Sequence, residues 1–196
     1  MEFVDAENSF EPVLRLPLHA HAATPTLAVR SMHLALGRDA ADNWRFDLEV
    51  NADLTRLLVP AATSPGFSDG LWRHTCFELF AADEQGRYRE FNFSPSSRFA
   101  IYDFGHYRSG MSAVVPPAEP FIDPRVEGLL VRVFMPGGLL VVAGGPVLAL
   151  GAAAVIEERG GALSYWALSH PGKKPDFHHR DGFVVSWPPR GGAEER

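Results

Sequence analysis

The sequence predicts an all-β protein, a two-sheet antiparallel β-sandwich of jelly-roll type, and three observations lead there. Period-two alternation of apolar and polar residues recurs along the chain, whereas helical periodicity is almost absent. Turn signals interrupt that alternation every ten residues or so. Glycine (18) and proline (16) are abundant among the 196 residues, which suits many short elements joined by turns.

Residues 43–51 read as a strand with Trp44, Phe46, Leu48 and Val50 on one face and Arg45, Asp47 and Glu49 on the other. Residues 75–82 read as a second. The turn Asp83-Glu84-Gln85-Gly86 follows, with Gly86 free to take positive φ, and residues 87–94 return as the hairpin partner. A Pro95-Ser96-Ser97 turn leads to a strand over 98–104. The four prolines between Pro116 and Pro124 suggest a long connection. Later strands are expected over 128–135, 139–143, 153–158 and 163–169, with a closing strand over 183–187. Residues 1–12 read as a loosely held extension, 13–187 as a single domain, and 188–196 as a flexible tail.

An apolar content of 46% and a charged content of 21% are globular values. A formal net charge of −6 makes nucleic acid and anionic membrane poor partners. The one cysteine, Cys76, leaves no internal disulfide and no cysteine-rich zinc site. Mid-strand, with no activating neighbour in sequence, it reads as a buried inert thiol. The longest apolar stretch, 137–154, is broken by Gly144, Gly145, Pro146 and Gly151 and does not read as a membrane span. With no secretory pattern at the N-terminus, the expected location is cytoplasmic. No nucleophile elbow, phosphate loop, dinucleotide fingerprint or zinc-protease motif occurs.

Two segments carry chemistry. In the 72–94 hairpin, Phe77 and Leu79 share one face with Arg89, Phe91 and Phe93. The opposite face carries Trp72, His74, Cys76, Glu78 and Phe80 with Tyr88, Glu90, Asn92 and Ser94. That second face is either a solvated outer surface or a ligand surface. Aromatic rings beside carboxylates and an amide suit a sugar, whose apolar face stacks while its hydroxyls donate. The second segment runs from Ser164 to Asp181. Its strand places Ser164, Trp166 and Leu168 on one face, and its irregular end holds His170, Lys173, Lys174, Asp176, His178 and His179. It reads as a solvated loop, as the rim of a ligand site, or as a weak metal site using His170, Asp176, His178 and His179. Adjacent histidines point apart, which counts against the metal. Tyr102 to Met111 reads as a further loop over the same end.

The runs Gly70 to Phe80 and Tyr88 to Ser96, with Tyr102 to Met111, Ala154 to Glu158, Ser164 to Leu168, His170-Pro171 and Lys174 to His179, resemble bacterial DOMON-like proteins, which are similar to family-nine carbohydrate-binding modules. The resemblance covers about residues 20 to 187. It implies a jelly-roll sandwich that binds a sugar or haem on a face or edge. Sugar-binding relatives clamp the ligand between two aromatic rings, for which Trp72 and Trp166 are the candidates. Haem-binding relatives use axial Met, His or Lys ligands, for which Met111, His106 and His170 are available.

The leading expectation is therefore a non-catalytic module without a cofactor. It would bind a carbohydrate or similar small molecule through Trp72, Glu78, Glu90, Asn92, Trp166, His170, Lys174 and Asp176. A haem or redox module is the first alternative, and a small hydrolase using Glu78 and Glu90 as paired carboxyls is the second.

Overall fold

The structure is a computed structural model that describes residues 12–38, 43–125, 129–142 and 145–187. The expected loose extension and tail therefore fall almost wholly outside the described residues. Fifteen strands occur among the described residues, and no α-helix. They are β1 (Leu14–Ala20), β2 (Val29–Arg38), β3 (Trp44–Ala52), β4 (Gly66–Phe67), β5 (Cys76–Ala82), β6 (Tyr88–Phe93), β7 (Arg98–Phe104) and β8 (Ser112–Ala113). After these come β9 (Phe121–Arg125), β10 (Leu130–Met135), β11 (Val141–Val142), β12 (Gly145–Pro146), β13 (Ala149–Glu157), β14 (Leu163–Ala167) and β15 (Val185–Ser186).

The strands are not divided into two separate sheets. One hydrogen-bonded path runs β4-β7-β6-β5-β13-β14-β1-β2-β3-β10-β9, with β15 beside β13 and β8 beside β7; β11 and β12 form a small ribbon of their own. Every pairing is antiparallel except β4 with β7. The path curls because β1 serves both halves. Its Leu14–Leu18 stretch pairs with β2, and only His19 and Ala20 pair with β14. Pro17, which has no amide proton to give, sits in the stretch paired to β2 alone. Pro124 is likewise on an outermost strand, β9, so the expected 116–124 connection ends in an edge strand.

The curl closes the two halves on one core. Phe46, Leu48 and Val50 of β3 and Val131, Val133 and Met135 of β10 share a cluster with Phe77 and Leu79 of β5, Phe91 and Phe93 of β6, and Ile101 of β7. The expected hairpin β5–β6 forms, with Glu78 opposite Asn92 and Phe80 opposite Glu90. Gly86 takes φ +81° in the connecting turn, and the Asp83 carboxylate accepts the Arg87 N–H there at 3.0 Å.

The second face of β5–β6 is not a solvated outer surface. All seven residues of β5 are buried, and Phe80, Tyr88, Tyr102 and Phe104 join Ala82, Ala100, Ala153 and Ala167 in a second apolar cluster. Two segments cover it. The 3-10 turn Leu71–Arg73 leans in with Leu71 and Trp72, and the stretch after β14 brings Phe177 and Phe183. Phe183 stacks on Phe80 with ring centroids 5.5 Å apart. It lies directly above Gly151, where a Cβ would meet its ring at 2.5 Å and the Gly182 carbonyl at 3.3 Å.

Gly151→Ala should therefore displace Phe183 and loosen the cover. Overpacking of this kind costs about 1–3 kcal/mol. Urea denaturation of the two proteins checks this, and an unchanged midpoint would show that the ring yields freely.

Candidate functional site

Between the sheet and its cover lies a cavity of about 740 Å³. Three cross-strand rows make its floor. Cys76, Val155 and Tyr165 form one. Asn92, Glu78, Ala153 and Ala167 form the next, and Tyr102, Glu90, Phe80 and Gly151 the third. The small side chains at 153 and 167 recess the middle row, while Phe183 fills the space over Gly151. Glu78, Glu90, Val155 and Tyr165 reach the cavity from below, while Trp72, Phe104, Arg108, Met111, Lys174, Phe177 and His178 close its sides.

The two glutamates share this face on neighbouring strands. Glu78 is 5% exposed and makes no hydrogen bond or ion pair among the described residues; its carboxyl oxygens open onto the cavity. Glu90 is 4% exposed; its Oε1 accepts the Asn92 amide at 2.7 Å, and its Oε2 lies 3.7 Å from the His178 Nε2. Burial, and then the charge of Glu90, push Glu78 well above the usual carboxylate range. Burial raises Glu90 too, against the opposing pull of Asn92 and Arg108. Burial, and then Arg108, lower His178 to about 4, so its ring is neutral at pH 7. The Tyr88 hydroxyl already accepts the Arg108 backbone N–H at 3.1 Å and lies 2.8 Å from His178 Nδ1. It is placed to donate to Nδ1, leaving Nε2 to carry the proton towards Glu90.

The residues singled out in the sequence divide clearly. Trp72, Glu78, Glu90 and Lys174 line the cavity. Asn92 lies beneath it, fully buried, holding Glu90 and taking the Cys76 thiol at 3.6 Å. Asp176 ties the wall together. Its carboxylate accepts from Arg108 Nη2 at 2.8 Å, from the Tyr107 hydroxyl, and from the His178 N–H at 3.2 Å. Burial opposes its ionisation, but these bonds outweigh burial and hold it below the usual aspartate range.

Trp166 is not in the cavity. It points to the other face of β14, into the main core, with its indole N–H on the Ser164 hydroxyl at 3.2 Å. Tyr165 holds the cavity position instead. The alternation was read correctly, but β14 is covered on both sides, and the Trp166 face is the core face. His170 also lies off the cavity lining; it bonds the His19 carbonyl at 2.8 Å and meets His21 edge-on at 4.8 Å. Cys76 is fully buried, and burial raises its thiol far above the usual value.

The cofactor alternatives fit poorly. Among the described residues no three His, Cys, Asp or Glu side chains gather as a metal site; His178 faces the cavity while His179 caps the 3-10 turn Arg180–Gly182. Of the haem candidates only Met111 lines the cavity, since His170 is bound to backbone and His106 lies outside the lining. The residues missed at the level of sequence are Tyr165, Phe177, Val155 and Arg108. The signal available for the recess was the run of small residues 151–154.

No protein-family model and no curated protein matches the chain significantly. Among solved structures, a candidate carbohydrate-binding protein from Bacteroides uniformis matches with a TM-score of 0.52 at 14% identity. The match covers 87% of this chain and 84% of that one. At this identity the likeness is one of fold. No helix among the described residues is long and apolar enough to cross a membrane.

The titrations give stability a pH optimum. Glu78 and Glu90 are raised from about 4.5, so the stability they allow is full at low pH and falls as pH rises through their folded values. His178 is lowered from 6.5 to about 4, so its contribution is full above 6.5 and is lost as pH falls towards 4. Glu78→Gln should therefore melt higher than the parent protein at pH 8 and lose that advantage near pH 4. Calorimetry across the range checks this. Equal melting curves at pH 8 would mean that the carboxylate is better solvated than its burial implies.

Proposed function

We propose that this chain is a non-catalytic binding module for a carbohydrate or similar polyol, held in the cavity over β5 and β6. One observation carries the reading: Glu78, a residue only 5% exposed, makes no hydrogen bond or ion pair among the described residues, and its carboxyl opens onto the cavity. A hydroxyl-rich ligand entering the cavity supplies the hydrogen-bond partner that the protein itself does not. The walls suit the same ligand. Trp72, Phe177 and Tyr165 present rings for the apolar face of a pyranose, and Glu90 and Lys174 offer further polar contacts.

The fold-level likeness to a candidate carbohydrate-binding protein supports the reading. So does the resemblance to DOMON-like proteins and, through them, to family-nine modules. On this reading the curled sheet is a joined variant of the jelly-roll sandwich. The aromatic pair gripping the ligand is Trp72 with Tyr165 or Phe177 rather than Trp72 with Trp166. Asn92 and Asp176 act by holding Glu90 and the wall in place.

A second reading has one observation in its favour. Neither glutamate is neutralised by an arginine side chain: Arg89 pairs with Asp103 on the other face, and Arg108 with Asp176. Paired carboxyls left poised in a cleft suit acid–base hydrolysis of a glycoside. Release of nitrophenol from aryl glycosides, abolished by Glu90→Gln, would favour it over simple binding.

Titration of mono- and disaccharides into the purified protein, followed by calorimetry or ligand-observed NMR, tests the binding reading. Saturable binding in the micromolar to millimolar range is expected, about −4 to −8 kcal/mol. Tyr165→Ala should weaken it at least tenfold while the protein stays folded. Trp166→Ala should instead destabilise the core by about 3–5 kcal/mol. No saturable binding by any sugar would overturn the proposal.

A further inference from the structure

We propose that the ligand carries an ammonium group, and that Glu78 with Glu90 is its docking point, so that among sugars an amino sugar is preferred over its neutral counterpart. This rests on the binding reading above and narrows the ligand class.

The argument is one of charge placement. Two carboxyls sit on one face of adjacent strands, in neighbouring cross-strand rows of the cavity floor. Like charges so placed repel unless a cation joins them or a proton stays on. The cations nearby do not serve. Arg108 has both its Nε and Nη2 turned to Asp176, at 3.3 and 2.8 Å. Lys174 lies on the exposed outer part of the wall. His178 stands over Glu90 with a neutral ring, and Cys76 and Tyr88 are neutral as well. Around Glu78 the protein thus offers acceptors and aromatic faces, with Arg108 committed to Asp176 and Lys174 on an exposed stretch of the lining.

That combination recognises an alkylammonium. The N–H donors of the ligand satisfy the Glu78 oxygens, its charge relieves the Glu78–Glu90 repulsion, and the rings of Trp72, Tyr165 and Phe177 receive its polarised C–H groups. A neutral hydroxyl satisfies the hydrogen bonds but leaves the repulsion in place. Asp176 offsets part of the Arg108 charge, and what remains favours the ionised form of both glutamates, the form an ammonium needs.

The test compares glucose, glucosamine and N-acetylglucosamine by calorimetry at pH 7 with the full chain. Glucosamine is expected to bind at least tenfold more tightly than glucose, and acetylation of its nitrogen should remove the gain. Rising salt should weaken glucosamine more than glucose. In Glu78→Gln, checked for folding by its melting curve, the glucosamine-to-glucose ratio should fall towards one. Equal affinity of glucose and glucosamine in the parent protein overturns the ammonium assignment and leaves the sugar-binding reading standing. Binding of none of the three, but of another neutral saccharide, does the same. Absence of binding by every saccharide and amine removes both.

Discussion

One carboxylate holds the cover over the sheet. Asp176 accepts hydrogen bonds from Tyr107 and Arg108 on one segment and from the backbone of His178 on its own. That knot joins the loop after β7 to the loop after β14. A second tether lies at the start of the latter loop. His170 bonds the His19 carbonyl, and the buried His21, whose Nδ1 accepts the Ala23 N–H, is left to donate from Nε2 to the Gly172 carbonyl. Without these ties the second face of β5 would be wet, Glu78 would be an ordinary surface acid, and there would be no cavity. Interactions between charged donors and carboxylates of this kind are among the stronger hydrogen bonds in a protein, and more so where they are part-buried.

Burial then decides the chemistry of the floor. A carboxyl taken out of water with no partner favours its neutral form, and a neighbouring carboxylate pushes it the same way. Glu78 is left to the cavity, whereas Glu90 receives an amide from Asn92. A sheet interior built only for stability would carry an apolar residue at 78, as it does at Phe80 and Cys76 on the same strand face. Conflict between local stability and local sequence is where function is usually found, because a site needs groups that remain unsatisfied until a ligand arrives.

How much of this was legible in the sequence differs by element. The hairpin was readable in detail, because a short turn with Gly86 at positive φ ties two strands together and period two then decides which side chains share a face. Glu78, Glu90 and Asn92 followed from that alone; Trp72, expected on the same strand face, sits instead in the 3-10 turn Leu71–Arg73 before β5 and reaches the cavity from its side. The burial of their face was not readable, since it depends on a cover some ninety residues further along the chain. Tyr165 was missed for a related reason. In β14 Ser164 and Trp166 are buried and Leu163 and Tyr165 half-buried, and alternation separates Trp166 from Tyr165 without saying which side is core. Pairing of β14 with β13 resolves it, and pairing is a long-range fact. β1 and β2 escaped notice because Pro17 obscures the one and a bulge between Val29 and Ser31 interrupts the pairing of the other.

The cavity also resists collapse, and the reason is geometric. Beside Glu78, the row continues through Ala153 and Ala167, which are too small to fill the space above them. The rings around the opening are each braced from behind. Trp72 meets Tyr102 edge-on at 5.7 Å, Phe104 stacks on Tyr88 at 4.7 Å, and Phe177 leans on Tyr165 at 5.8 Å. Tyr88 is fixed in turn by His178 and the Arg108 backbone. Side chains already held by their neighbours lose little further freedom when a ligand enters, so more of each contact is retained as affinity. A site built this way does not need large area to bind a small polar molecule; it needs the few polar groups on the floor to be in place beforehand, and the strand register of β5, β6 and β13 puts them there.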